Sequence, residues 1–313
     1  MLLNNFALTG LAGYIAPRHL QAIRDTGHTL VAAIDPHDSV GIVDSYFPQA
    51  AFFTEYERFD RHLEKLYRGK EVGRVHYLSV CSPNHLHDAH IRTALRIGAH
   101  AICEKPLVLH PRNLDLLEEL EAESEGTINT VLQLRVHPRV LALREQLRES
   151  TQRHKVQLTY VTSRGQWYQY SWKGDHAKSG GVATNIGVHF FDMLLWLFGA
   201  PEQNELHLRQ PAKMAGAMRL ARADVQWYLS LDHTDLPASV RGKQPTYRSI
   251  TVDGAEIEFS GGFRDLHTEV YRKTMRGEGF RIPDARPAIE LVHRLRSDAV
   301  VKPHLDPHPM LNA

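Results

Sequence analysis

The sequence predicts a two-domain α/β protein: a doubly wound parallel sheet over residues 1–135, then an α/β domain over residues 136–313 with a large, mostly antiparallel open sheet. Three observations predict it. Apolar runs alternate with helical segments as far as about Leu134, the pattern of strands joined by crossover helices. Beyond residue 150 the alternation becomes residue by residue, the period of a half-buried strand. The length of 313 residues exceeds what one such core usually organises.

In the first domain the strand candidates are FALTG, LVAAID, YLSVCS, HAIC and TVLQL. The helices between them have legible ends, because glycine readily takes the left-handed conformation that stops a helix. HLQAIRDTG stops at Gly27, the segment after Asn84 at Gly98, and the helix opened by Pro111 before Gly126. In the second domain, residues 218–231 set Val225, Trp227, Leu229 and Leu231 on one face and Asp224, Gln226, Tyr228 and Ser230 on the other. SITV and AEIEF flank Asp253-Gly254, a pair suited to a tight hairpin because both residues tolerate positive φ. VHFFDMLLWLF is too apolar for a surface helix and is expected to lie buried between the domains.

Composition narrows the function classes. A formal net charge of +1 gives no general attraction for nucleic acid or anionic lipid, so any anionic ligand must be held by local charges. The two cysteines, Cys81 and Cys103, form neither a C-x-x-C motif nor a secreted disulfide framework. The first residues, MLLNNFALTG, lack the basic and apolar regions of a signal peptide, and no purely apolar run approaches the roughly 20 residues of a membrane span. The expectation is a cytoplasmic protein.

The first strand runs directly into Gly10-Leu11-Ala12-Gly13-Tyr14-Ile15-Ala16, with a helix to follow from about Pro17. Small residues at Gly10 and Gly13 let the backbone approach a pyrophosphate, and the N–H groups at Tyr14 and Ile15 face the helix start, where negative charge is favoured. Asp35 closes the second strand at the distance where a carboxylate meets adenosine ribose hydroxyls; it would repel a 2′-phosphate, so NAD is favoured over NADP. Ser82, Asn84 and His87 occupy a loop after the YLSVCS strand, at the sheet edge where such ligands sit, and Glu104 and Lys105 occupy the equivalent loop after HAIC. Gln133, next to last in TVLQL, is a further candidate cofactor contact. A metal reading of His85, His87 and His90 is disfavoured: an H-x-H pair on a helix points two ways, and no cysteine or carboxylate completes the set.

Lys105 emerges from an apolar strand before Pro106, where partial desolvation could tune its amine. His189 opens the apolar helix in Gly187-Val188-His189-Phe190-Phe191-Asp192; Asp192, three residues on, shares its face and could orient the imidazole. Nothing local brings His189 to Lys105.

As an ordered set, Gly13-x-x-Ala16-x-x-His19, Asp35, Pro83-Asn84-x-x-His87, Glu104-Lys105-Pro106 and Gly187-x-His189-x-x-Asp192 resemble the Gfo/Idh/MocA oxidoreductases over nearly the whole chain. The resemblance implies a Rossmann NAD-binding domain, a second domain whose sheet mediates oligomerisation, usually as a homotetramer, and sugar or polyol chemistry. It also implies that Lys105 and His189 handle the proton; which of them takes it stays open. Within the family, the stretch from Arg164 through Tyr168, Trp172, Lys173 and Lys178 to Asn185 and His189 is similar to enzymes that oxidise UDP-N-acetylglucosaminuronic acid at C3 for diacetamido-uronic acids of bacterial surface polysaccharide, the O-antigen of lipopolysaccharide. That similarity implies Arg164, Lys173 and Lys178 as cations for the uronate or diphosphate, Tyr168, Trp172, Asn185 and Asp192 as further substrate contacts, and 2-oxoglutarate as a possible hydride acceptor. Another sugar or polyol, or a non-catalytic nicotinamide-binding regulator, are the competing expectations.

Overall fold

Phe6, Ala7 and Leu8 are all fully buried, as a strand covered by helices on both faces requires. They lie in β1 (Asn5–Thr9) at the middle of a sheet whose other strands are β2 (Thr29–Ile34), β3 (Ala51–Phe53), β4 (Tyr77–Val80), β5 (His100–Cys103) and β6 (Ile128–Thr130). The sheet order is β3-β2-β1-β4-β5-β6, every pairing parallel. Strand order therefore reverses between β1 and β4, the switch point where ligands of open α/β sheets bind. The intervening helices are α1 (Ala16–Asp25), α2 (Tyr56–Arg68), α3 (His87–Arg96) and α4 (Pro111–Ala122). The last strand ends at Thr130, so most of TVLQL lies beyond it: Val131 and Leu132 are buried outside any strand, and Gln133 begins a 3₁₀ turn.

This computed structural model describes residues 3–69, 73–257 and 265–311. The chain forms two units, Met1–Gln133 with Arg264–Arg286, and Leu134–Phe263 with Pro287–Ala313. The single division expected at 135/136 misses the return of a C-terminal segment to the first unit. That segment carries α9 (Leu266–Met275), with Leu266, Val270 and Tyr271 buried, and its Phe280 pairs with Thr130 beside β6. Arg281 binds Glu121, and Arg286 binds Asp115 and Glu118, tying the segment to α4.

The second unit holds a mixed six-stranded sheet in the order β12-β11-β7-β10-β9-β8. Its strands are β7 (His154–Thr162), β8 (Pro201–Arg209), β9 (Lys213–Leu220), β10 (Ala223–Ser230), β11 (Thr246–Val252) and β12 (Ala255–Glu256). Only β7 and β10 pair in parallel; the remaining pairs are antiparallel. Asp253 and Gly254 make the β11–β12 turn with φ of 52° and 81°, as their side chains suggested; residues 258 and 259 of the AEIEF run lie outside the described residues.

Helices α5 (Pro138–Arg148), the single turns α6 (Trp167–Tyr170) and α7 (His176–Ser179), and α8 (Val188–Phe198) complete this unit, with α10 (Ile282–Ser297) entering it at Pro287. The buried side chains of α8, the apolar helix expected between the domains, join the second unit's own hydrophobic cluster with Leu158, Val225, Trp227 and Leu229 of the sheet. The helical run from His176 to Phe198 is long and apolar enough to cross a membrane by composition, yet 89% of its most apolar window is buried in the protein, which marks a core element.

The opposite sheet face departs from the simple alternation. Tyr228 and Ser230, on the parity read as polar and exposed, are 3% and 0% exposed. Both hydroxyls donate to Asp235, Tyr228 at 3.0 Å and Ser230 at 2.6 Å, and the C-terminal tail covers Tyr228: the His308 ring packs against it and His308 Nε2 lies 3.0 Å from Thr159 Oγ1. Glu205 on β8 anchors this tail by accepting from the backbone N–H groups of His304 and Leu305, each at 2.9 Å. Burial would raise the Glu205 carboxyl, but the Leu305 N–H, the His207 imidazole and the His304 N–H together bring it down to about 2. A carboxylate depressed in the folded state stabilises above its unfolded pKa and ceases to as pH falls through the folded one. Proteolytic cleavage of the tail should therefore rise as pH drops from about 4.5 toward 2, and Glu205→Gln should make cleavage faster at pH 7 and nearly flat over that window.

Candidate active site

Four stretches of the first unit meet at the ends of β1, β2, β4 and β5. Gly10 has φ of +84°, and a Cβ there would stand 2.6 Å from the Cys81 carbonyl group, so the close approach of the chain leaving β1 to the chain leaving β4 requires glycine. The turn after it is pinned from two sides: Gly13 N–H donates to the Gly10 carbonyl at 3.0 Å, and Ala12 N–H donates to Asp35 Oδ2 at 2.9 Å. The other Asp35 oxygen accepts from His37 N–H at 2.9 Å. Asp35 thus organises the glycine turn, an assignment that sequence spacing did not reveal. The N–H groups of Tyr14 and Ile15, just before α1, have no acceptor among the described residues. Unsatisfied donors at the start of a ten-residue helix fit a dinucleotide's pyrophosphate, and Asp35 beside them fits a ribose diol. Tyr14 itself is 93% exposed.

The next two loops are fastened by buried histidines. His87, fully buried, spans two loop carbonyls: its Nδ1 lies 2.8 Å from Pro106 O and its Nε2 2.8 Å from Ser82 O. Burial pushes its pKa down, against the upward pull of the two carbonyls it faces. His87, expected at the cofactor, instead ties the Ser82–Asn84 loop to the Glu104-Lys105-Pro106 loop. Ser82 and Asn84 are 6% and 5% exposed, with Ser82 Oγ 2.8 Å from His90 Nδ1.

Glu104, also expected at the cofactor, is 7% exposed and faces inward. Its Oε1 accepts from His19 Nε2 at 2.9 Å and His267 Nε2 at 2.8 Å, and its Oε2 from the Lys105 backbone N–H at 3.2 Å. Burial alone would raise this carboxyl, but the two imidazole donors hold it well below the usual range. His19, whose pKa burial lowers, stays neutral. Lys105 leaves this loop partly buried, and the bond to Pro106 is cis. His19, Glu104 and His267 place three potential ligand atoms within 4.8 Å of one another. Each imidazole is, however, at hydrogen-bond distance from the same oxygen, the arrangement of two N–H donors on one carboxylate.

In the second unit, Asn185 and His189 are delivered by a π-helical turn (Ala183–Gly187) running into α8. Such wide turns recur at functional sites because they displace side chains from the regular helical array. His189 is partly exposed. Asp192, expected to contact substrate, is 2% exposed, and both its oxygens accept from Arg135, at 3.0 and 2.7 Å. A desolvated carboxylate held by a two-pronged guanidinium braces α8, and this replaces the substrate-contact expectation for Asp192. Arg135 was not singled out from sequence, because nothing local links it to a residue 57 positions away.

The other substrate candidates largely come together. Asn185 Nδ2 donates to Tyr168 Oη at 2.7 Å. The Lys173 ammonium lies 4.5 Å from the Trp172 ring and 5.6 Å from the Trp167 ring. Its pKa is lowered by burial and then by the charge of Arg164. Neither Arg164 nor Lys173 has a carboxylate partner among the described residues. Lys178 does not join them: it is exposed and pairs with Asp175 at 3.7 Å.

A parallel six-stranded sheet with this glycine turn, followed by a mixed-sheet domain, defines a two-domain, dinucleotide-binding oxidoreductase architecture. The comparisons agree: residues 4–131 match the GFO_IDH_MocA oxidoreductase model, an NAD-binding Rossmann fold, and residues 153–297 match that family's C-terminal alpha/beta domain. The chain belongs to the GFO/IDH/MocA oxidoreductase family. It is 54% identical to the WlbA (WbpB) dehydrogenase of Thermus thermophilus, with a TM-score of 0.95 over 98% of this chain and 100% of that one. That enzyme has been solved with NAD and alpha-ketoglutarate, and with NAD and UDP-GlcNAcA. At 18% identity and a TM-score of 0.77, covering 95% of this chain and 96% of that one, the WlbA dehydrogenase of Bordetella pertussis shares the fold. Among curated proteins, D-glucoside 3-dehydrogenase of Escherichia coli is 29% identical over 132 residues, which are 40% of this chain and 36% of that one. The match thus spans about a third of that relative's length.

Proposed function

We propose that this protein oxidises the C3 hydroxyl of UDP-N-acetylglucosaminuronic acid to the 3-keto sugar, using NAD. The observation that carries this reading is the pair Arg164 and Lys173, two cations without a carboxylate partner among the described residues, beside indole rings and the Tyr168–Asn185 hydrogen bond. The charge of exposed Arg164 adds to burial in lowering the Lys173 pKa, so an anion bound beside the two is favoured by both. A uronate or diphosphate supplies that anion, a neutral polyol does not, and the 54% identical relative was solved with UDP-GlcNAcA.

Bound NAD, held by the glycine turn and Asp35, would supply the hydride acceptor. The chain's own residues manage the rest: Lys105 hydrogen-bonds the alcohol oxygen and favours its developing negative charge, and His189 takes the hydroxyl proton. Tyr168 and Asn185 offer groups for sugar hydroxyls. The complex of that same relative with alpha-ketoglutarate favours 2-oxoglutarate as the acceptor that regenerates NAD. The family resemblance further supports a homotetramer serving bacterial surface-polysaccharide synthesis in the cytoplasm.

The test is product analysis by mass spectrometry after incubation with NAD and UDP-N-acetylglucosaminuronic acid, inositol or free glucose in parallel, with and without 2-oxoglutarate. A product two hydrogens lighter from the UDP-sugar supports the reading; oxidation of only the free polyol or aldose overturns it. In the same assay Arg164→Met and Lys173→Met should each raise KM for the UDP-uronate about tenfold or more while moving kcat far less, since a lost charge-assisted contact to a remote anion removes ground-state and transition-state binding together.

A further inference from the structure

We propose that His267 and Tyr271, on the segment that returns from the far end of the chain, are positioning residues for Lys105, acting with His19 through the Glu104 carboxylate. This rests on the reading of Lys105 as a group at the reacting alcohol.

The donors in this cluster have a determined direction. An ionised carboxylate only accepts hydrogen bonds. His19, 2.9 Å away, must therefore carry its proton on Nε2, which leaves Nδ1 as a bare acceptor. Tyr271 Oη lies 2.7 Å from that Nδ1 and so donates to it, and the Tyr271 oxygen then accepts from Ser79 Oγ at 2.6 Å. His267 donates its own Nε2–H to the same carboxylate oxygen at 2.8 Å. Every hydroxyl and imidazole proton from β4 through α9 to α1 thus points toward Glu104, and Ser79, His19 and Tyr271 are fully buried. Hydrogen bonds aligned in one sense reinforce one another in a low-dielectric interior.

The far oxygen of Glu104 accepts the backbone N–H of Lys105 at 3.2 Å. One carboxylate therefore sets the start of the lysine loop, while His87 holds the Pro106 carbonyl on the other side at 2.8 Å. His267 and Tyr271 are four apart on α9, so a single helix face supplies two of the network's members. Remove one donor, and Glu104 either turns toward another donor or takes up a proton; both change the position of the next residue's backbone and the field at its amine. Zinc does not describe the cluster as well: it would need both Nε2 atoms stripped of hydrogen and aimed at one ion about 2.0–2.1 Å away, whereas both point at a carboxylate oxygen at hydrogen-bond distance.

Four variants test the inference: Tyr271→Phe, His267→Leu, His267→Gln and Lys105→Met. Glutamine can place an N–H near the imidazole Nε2 position; leucine cannot. Steady-state oxidation of UDP-N-acetylglucosaminuronic acid is measured for all four, and the pH dependence of amine labelling at Lys105, read by mass spectrometry without substrate, for the three that retain the lysine. His267→Leu and Tyr271→Phe should lower kcat about tenfold or more with little change in KM, and move the Lys105 labelling midpoint by about half a pH unit or more. His267→Gln should recover most of both. Unchanged labelling midpoints and equal kcat losses in the leucine and glutamine variants would mean a structural role only and overturn the inference. So would a stoichiometric divalent metal in the purified protein that disappears in His267→Leu. If instead Lys105→Met leaves turnover intact, the role given to Lys105 fails, and the labelling data still decide whether the cluster holds the loop. Tyr271→Phe keeps the core volume, so a folding failure of His267→Leu does not remove the test.

Discussion

Lys105→Met should lower kcat for the UDP-uronate by about 10²- to 10⁴-fold, the range a positioned proton-transfer or charge-stabilising group contributes. Methionine retains the length and apolar stem of lysine but presents no donor, so the loop between the Glu104 and His87 anchors should persist. NADH affinity, measured by fluorescence titration, should change little, because the N–H groups of Tyr14 and Ile15 and the Asp35 carboxylate are untouched. His189→Asn should produce a loss of similar order. If the two residues act on one oxygen, the double variant should lose much less than the product of the single losses, as groups working as a unit do. A double variant whose losses simply multiply would assign them to separate steps.

Asp192→Ala should destabilise the protein by about 3–5 kcal/mol, the cost of leaving one partner of a buried ion pair uncompensated. Arg135 and Asp192 have side chains only 8% and 3% exposed, and the guanidinium contacts both carboxylate oxygens. Denaturant unfolding of the second unit reads this directly. Replacing the pair together, Arg135→Met with Asp192→Leu, should restore much of the loss, because a packed apolar pair carries no desolvation penalty. Activity should not recover in parallel if α8 also has to present His189 at a defined angle.

The parallel strands were legible because each is a short apolar run ended by turn residues, and β1, β2, β4 and β5 fall where those runs fall. β3 was not, since its three residues are only half-buried and carry no pattern. The last strand was misplaced because Val131 and Leu132 are as apolar as strand residues while lying just beyond β6. Alternation in β10 held for Val225, Trp227 and Leu229, but a tail more than 70 residues downstream in sequence covers Tyr228, and no local signal announces that. At the candidate site, Tyr168, Lys173 and Asn185 were nominated by family resemblance; their spacing alone suggested scattered polar residues. The π turn before His189 left no trace in residue type. His267 and Tyr271 did leave a weak one, two polar-tipped rings four apart on an otherwise ordinary helix. Recognising them would have required knowing that Glu104 is buried and needs donors.

The order of synthesis turns the returning helix into a matter of timing. Glu104 leaves the ribosome 163 residues before His267, so while those residues are made the parallel sheet carries an inward-facing carboxylate lacking one of its two imidazole donors. The parallel sheet thus waits on a donor made much later, and a fragment cut at the end of β6 should behave as an expanded, aggregation-prone intermediate instead of an autonomous nucleotide-binding module.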